Sequence, residues 1–159
     1  VAPGESSKVK ETLSTLISKW DITVTEDRVQ ARGPLEGLYN GLCHMHEEWG
    51  FLLGCDMPSP DSDVIKGMNI FCSTNNDAVV AERKGFLEPL HAFYRKSCIG
   101  AVSDAMQRGD RKIKQFYPDI RLTVINEKKL KEFGDDVSSF FNLNTPHDVE
   151  KMKLIQEVR

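Results

Sequence analysis

The stretch FLLGCDMPSPD, Phe51 to Asp61, decides how the rest of the chain is read. An apolar run ends at Gly54, an acidic side chain follows at Asp56, and Pro58 and Pro60 rule out any regular continuation. The uninterrupted apolar character of GFLLGC, Gly50 to Cys55, predicts a central strand covered on both faces by helices, as strands of a parallel sheet are. In an open parallel sheet, ligands bind in the crevice beyond the carboxyl ends of the strands. Asp56 is therefore placed where a lone carboxylate can coordinate a hard cation such as Mg²⁺, at about 2.1 Å. Magnesium needs only one or two protein carboxylates, because water and substrate phosphate fill its other positions. The alternative is that Asp56 caps the turn that follows, as aspartate before proline-rich sequence does.

Outward from this stretch, helical and extended patterns alternate. Upstream, Val9, Leu13, Leu16, Ile17 and Trp20 recur at helical spacing behind a Ser6 or Ser7 cap, and Ile22 and Val24 alternate with threonines as a short strand. GPLEGLYNGLCHMHEEW then predicts a helix with Pro34 in its first position and Leu35, Leu38, Leu42 and Met45 on one face. Downstream the pattern gives a helix near Ser62 to Met68 and strands over Asp77 to Arg83 and Leu87 to Arg95. Helices over Ser97 to Gln107 and Arg111 to Tyr117 follow, then a strand over Ile120 to Asn126 and a helix over Glu127 to Phe133. A last helix opens at Thr145, Pro146 and Asp148 and carries Val149, Met152 and Ile155. Strands alternating with helices imply an α/β three-layer sandwich with a mostly parallel sheet. The 159 residues, 40 % of them hydrophobic, read as one domain over 1–159.

Composition excludes several classes of function. With 21 basic and 24 acidic residues the net charge is −3, so no global field draws nucleic acid or an anionic membrane. No apolar run approaches the roughly 20 residues that cross a bilayer. Cys43, Cys55, Cys72 and Cys98 are too scattered for a zinc finger or a small disulfide scaffold, which predicts a reducing, cytoplasmic setting.

Three further stretches carry polar chemistry. In RGPLEG, Gly33 lets a ligand approach the backbone, Pro34 opens a helix, and the free amides of its first turn suit an anion or a base edge; equally, this is a helix start with Gly37 and Gly41 easing packing. Asp27 ends the preceding strand and is placed to accept from a ribose or base, or to pair with Arg28 or Arg32. In FFNLNTP, Asn142 and Asn144 share one side of an extended segment and suit a heterocycle, unless they serve only the turn and cap that follow. RGDRKIK, Arg108 to Lys114, either holds a phosphate through Arg111 and Lys112 or is a solvated face.

In this order GPLEG, CDMP, EPLHAFYR, RGDRKI and FFNLNTP resemble the molybdenum cofactor guanylyltransferase family, over nearly the whole chain from Val1 to about Leu154. The resemblance implies a Rossmann-like sheet of the nucleotide-diphospho-sugar transferase type. It also implies transfer of GMP from GTP to molybdopterin with release of pyrophosphate, Mg²⁺ as cofactor, and cytidine-nucleotide relatives as a variant. Carried over by motif, Asp56 matches the metal-binding aspartate, and Asp27, Gly33, Pro34, Leu35 and Gly37 match the nucleotide side. Asn142 and Asn144 match the pterin side. GTP and molybdopterin are the implied partners, with molybdenum enzymes or other assembly proteins beyond them. One departure stands out: the family opens with a strand and an L-A-G-G-x-x-x-R-M-G signature followed by lysine, which binds the triphosphate, and this sequence contains no Gly-Gly pair. Since VAPGES reads as the end of a strand entering a helix, the expectation is that the first strand, loop and helix precede Val1. The competing expectation is a catalytically silent module that binds the cofactor or docks on a molybdenum enzyme.

Overall fold

The computed structural model of the protein describes residues 4–26, 33–134, 136–145, 147–148 and 150. Helices α1 (Ser6–Thr12), α2 (Ser14–Lys19) and α3 (Pro34–His44) lead into strand β1 (Trp49–Leu53) and helix α4 (Ser62–Asn69). Strands β2 (Ala78–Arg83) and β3 (Phe86–Arg95), helix α5 (Cys98–Gln107) and a 3-10 helix over Ile113–Asp119 follow, then β4 (Leu122–Ile125), α6 (Glu127–Lys131) and α7 (Asp136–Ser139). The contacts divide the chain into two units. One comprises Val1–Gly50 and Arg95–Ile120, the other Phe51–Tyr94 and Arg121–Arg159.

The second unit holds the four-stranded sheet, apart from the end residues Trp49, Gly50 and Arg95, in the order β1-β3-β2-β4. Its centre is β2, where Ala78, Val79, Val80 and Ala81 have no exposed surface, the pattern of a strand buried on both faces. β2 runs parallel to β4, pairing Ala78 with Leu122 through Ala81 with Ile125. It runs antiparallel to β3, so the sheet is mixed. The β2–β3 hairpin closes through Lys84 and Gly85, both at positive φ (50° and 79°), the conformation of a two-residue turn whose twist suits the strands.

β3 also carries a bulge. Val80 pairs with Ala92 while its neighbour Ala81 pairs with Glu88, so Pro89, Leu90 and His91 have no partner in β2. Proline is tolerated there because no ladder hydrogen bond is demanded of it. The Pro89 carbonyl accepts instead from the Tyr94 hydroxyl at 2.9 Å, and the Leu90 carbonyl accepts from the Gly54 N–H at 2.8 Å.

In the first unit α3 presents most of the expected face: Leu35, Leu38 and Leu42 are buried, together with Val102 and Ala105 of α5 and Ile113, Phe116 and Tyr117 of the 3-10 helix, whereas Met45 lies just past the helix end and is half-buried. The helix expected over Ser7 to Trp20 is broken at Leu13 into α1 and α2, and neither buries a residue. α1 has no side-chain cap of its own at Glu5; instead the Ser6 N–H donates to the Glu26 carboxylate at 3.1 Å, and these hydrogen bonds with Ser6 hold that carboxyl below its ordinary range.

Three expectations need correction. The strand expected at Ile22 to Val24 is irregular: the Ile22 N–H turns back to the Trp20 carbonyl, and no ladder partner lies among the described residues. β1 is not central. It stands at one end of the described sheet and is only half-buried, Leu53 remaining 37 % exposed, because only one described strand pairs with it. The helix expected at Arg111 is a 3-10 helix that starts at Ile113, because the Gln115 side chain accepts from the N–H groups of Arg111 and Lys112 and holds them outside the helix. Of the last helix, Val149, Met152 and Ile155 lie outside the described residues, as do Asp27, Pro146 and Val1.

Candidate functional site

Beyond β1 the chain must turn sharply, and the side chains show how. The Gly54 N–H is held by the Leu90 carbonyl, the Met57 N–H closes the turn onto the Gly54 carbonyl at 3.0 Å, and buried Met57 anchors it. The Asp56 carboxylate folds back over Gly54, where an added Cβ would lie 2.5 Å from Oδ1, closer than real side chains approach. A side chain at Gly54 would have to displace the Asp56 carboxylate from this position.

Two aspartates compete for the capping role that the sequence offers, and the structure separates them. Asp61 caps α4, its carboxylate accepting from the N–H groups of Asp63 (2.8 Å) and Val64 (3.2 Å). Asp56 accepts no side-chain hydrogen bond and forms no ion pair among the described residues, and it is half-buried. Among the described residues its two oxygens are uncommitted. No group of three or more His, Cys, Asp or Glu assembles among the described residues; Asp56 could serve Mg²⁺, which needs only one or two protein carboxylates.

The FFNLNTP segment is tied to the same turn. The Leu143 N–H donates to the Asp56 carbonyl at 2.8 Å, which brings Asn142 and Asn144, on either side of Leu143, to the aspartate-bearing turn. Oδ1 of Asn142 is buried and has no hydrogen-bond partner among the described residues, an acceptor left unused. Asn144 is exposed. The expected cap is present in part: Asp148 accepts from the Thr145 N–H and hydroxyl at 2.8 Å each, and its own N–H donates to Thr145 Oγ1 at 3.3 Å.

In the first unit the Gly33 to Gly37 segment has a different character. Gly33 takes φ 76° as the N-cap of α3, and a Cβ there would lie 3.0 Å from the Arg111 carbonyl. Pro34 has no N–H, the Leu35 N–H donates to the Arg111 carbonyl at 3.4 Å, and the Glu36 N–H donates to the Gly33 carbonyl at 3.3 Å. The free first-turn amides expected from the sequence are thus already engaged, because the RGDR segment supplies its own acceptor. The packing role expected of Gly37 and Gly41 is also absent: both are exposed, and a Cβ at either would meet nothing within 4 Å among the described residues. RGDR serves the fold as well. The Arg108 guanidinium pairs with Asp119 at 3.1 Å and Asp110 at 3.4 Å, and these partners hold it charged more firmly than usual.

Sequence reading passed over one group, the buried imidazole of His91 in the β3 bulge. Its Nε2 lies 3.4 Å from Ser139 Oγ, and its ring packs 4.1 Å from Phe140 and edge-on to Phe51 at 4.9 Å. Burial pushes its pKa down to about 4, aided by the positive charge of Arg83. The only hint in the sequence is a histidine inside an apolar strand.

Among known proteins, the molybdenum cofactor guanylyltransferase of Desulfosudis oleivorans is 33 % identical over 132 residues, 83 % of this chain and 65 % of that protein. The probable molybdenum cofactor guanylyltransferase of Pelotomaculum thermopropionicum is 31 % identical over 136 residues, 86 % of this chain and 66 % of that protein. The chain therefore spans just under two thirds of the length of these relatives. In three dimensions it is similar to the molybdopterin-guanine dinucleotide biosynthesis protein A of Archaeoglobus fulgidus, with a TM-score of 0.77, 24 % identity, and coverage of 94 % of this chain and 76 % of that one. That likeness shows the fold, an α/β arrangement of the nucleotide-diphospho-sugar transferase type. With residues 5–123 matching its profile, a span that contains both the Gly33–Gly37 segment and the Asp56 turn, the chain belongs to the MobA-like NTP transferase domain family.

Proposed function

We propose that the protein acts as a single nucleotidyltransferase domain that transfers GMP from GTP to molybdopterin, forming molybdopterin guanine dinucleotide and releasing pyrophosphate. The observation that carries this reading is the Asp56 carboxylate, which the fold brings to the end of β1 and leaves without a partner among the described residues while Asp61 does the capping. The names borne by the relatives supply the substrates.

In the reaction a phosphate oxygen of molybdopterin attacks the α-phosphorus of GTP. One P–O bond forms, the bond to the β-phosphate bridging oxygen breaks, and pyrophosphate carries away the electron pair. Asp56 is the residue that would hold Mg²⁺, which when bound neutralises charge on the phosphates. The protein's own share is placement, which makes an otherwise bimolecular step effectively intramolecular. In this reading Asp27, Gly33, Pro34, Leu35 and Gly37 take the nucleotide, the exposed side of Gly37 leaving room for it. Asn142 and Asn144 take the pterin. No helix among the described residues is long and apolar enough to cross a membrane, and all four cysteines are free thiols; we place the reaction in the cytoplasm.

A second reading has its own observation. This sequence has no Gly-Gly pair, and a natural protein that carries no triphosphate signature would be a silent module that holds the pterin without turnover. The test starts from the intact mass of the natural protein, which shows whether residues precede Val1. That protein is then given Mg²⁺, molybdopterin and either GTP or CTP. Dinucleotide and pyrophosphate formed from GTP support the proposal, and product from CTP alone reassigns the base. Tight molybdopterin binding without pyrophosphate release would establish the silent module.

A further inference from the structure

The bulge in β3 holds two loops at once. Its Leu90 carbonyl fixes Gly54 at the head of the Asp56 turn, and the next residue, His91, reaches the other loop, with Nε2 3.4 Å from Ser139 Oγ and its ring against Phe140. Ser139 is fixed a second time, since its hydroxyl oxygen accepts from the Asp61 N–H at 3.0 Å, and Phe140 lies under the Arg83 guanidinium, 5.0 Å from its ring centre. Four residues beyond Ser139, the Leu143 N–H meets the Asp56 carbonyl. The segment carrying Asn142 is therefore pinned at both ends, at Ser139–Phe140 and at Leu143.

A wholly buried imidazole is a costly way to fill space between Phe51 and Phe140. A phenyl or leucyl side chain would fill it without desolvating two ring nitrogens, and Nδ1 has no hydrogen-bond partner among the described residues. What histidine adds is direction: a flat ring that both packs at a tilt against Phe140 and bonds Ser139 fixes where the chain leaves α7. We propose that His91 is a positioning residue, setting through Ser139 and Phe140 the placement of Asn142 and Asn144 against the Asp56 turn and hence the binding of the acceptor substrate. The consequence for the acceptor rests on the reading under "Proposed function"; the placement itself does not.

The experiment compares His91→Phe, His91→Gln and Ser139→Ala with the wild type in the natural protein. Hydrogen exchange of the Leu143 amide is read alongside steady-state kinetics with molybdopterin and GTP. His91→Phe keeps the ring contacts and loses the hydrogen bond. The expected result is a drop of about tenfold or more in Leu143 protection and a rise of about tenfold in KM for molybdopterin, the scale of one lost hydrogen bond. The KM for GTP stays within about twofold, whereas loss of the whole fold would move both. His91→Gln, which retains a polar group, recovers part of the protection, and Ser139→Ala reproduces the loss with less disturbance of the core. Wild-type protection of Leu143 in folded His91→Phe or Ser139→Ala would overturn the proposal. If the wild type forms no dinucleotide, the functional reading falls, and the exchange result alone decides the positioning role.

Discussion

The turn that follows β1 and the start of α3 are both short glycine-containing segments, yet they use their polar groups in opposite ways. At α3 the carbonyl of Gly33 and the N–H groups of Leu35 and Glu36 are consumed in holding the first unit together, with the Arg111 carbonyl as one acceptor. After β1, Asp61 takes the structural work and Asp56 is left over. A glycine pattern or an aspartate before proline is ambiguous until the hydrogen bonds are assigned. What marks chemistry is the polar group that folding does not use.

Substitutions can break this contrast. The largest effect is expected at the uncommitted carboxylate: Asp56→Asn should reduce dinucleotide formation about a thousandfold, or ~4 kcal/mol in the barrier, while urea unfolding shifts by less than about 0.5 kcal/mol. Equal losses of activity and stability would make Asp56 a structural residue.

The buried imidazole gives the next largest effect, on stability. With a folded pKa of about 4 against an ordinary 6.5, the unfolded chain binds more protons between those values. Stability on this account is fully present above pH 6.5 and is lost as pH falls toward 4, by roughly 3 kcal/mol in total. In His91→Phe the part of the acid slope due to this group should vanish; an unchanged slope between pH 6.5 and 4 would rule out a buried neutral His91.

At the committed segment the effects are smaller and fall on stability. Gly33→Ala forces a side chain into φ 76° with its Cβ 3.0 Å from the Arg111 carbonyl, which should cost about 1–3 kcal/mol in denaturant unfolding. Gly37→Ala is expected to do the reverse. It sits in a helix with nothing within 4 Å, so alanine should stabilise by about 0.5–1 kcal/mol, while raising the KM for GTP if a nucleotide lies against that face. A destabilised Gly37→Ala would mean that a packing partner had been missed.

Where periodicity and burial coincide, the sequence was legible. The buried leucines of α3 and the strand at β2 appear as expected, because side-chain spacing there matches the buried face, whereas in β4 Val124 is exposed and Ile125 buried, out of phase with the apolar alternation. The reciprocal bonds of Thr145 and Asp148 were legible for a similar reason, being local. What depended on distant partners was not. Ile22 and Val24 alternate like a strand but find no ladder among the described residues, and β1 is apolar enough for a central strand yet pairs with β3 alone. At the site, Asp56, Asn142 and Asn144 were visible as residue types in a motif, but their meeting depends on one bond between residues 56 and 143. His91 was hidden for the same reason, since a bulge three residues long and a serine 48 positions away give it its role.

Binding of the metal tests the central claim more directly than turnover. Mn²⁺ can stand in for Mg²⁺ and is counted by electron paramagnetic resonance in the natural protein with GTP present, for the wild type and for Asp56→Asn. The account predicts one protein-dependent Mn²⁺ in the wild type and a loss of affinity of about tenfold or more in the variant, as expected when a coordinating carboxylate is removed. Equal Mn²⁺ affinity in the two proteins would contradict it.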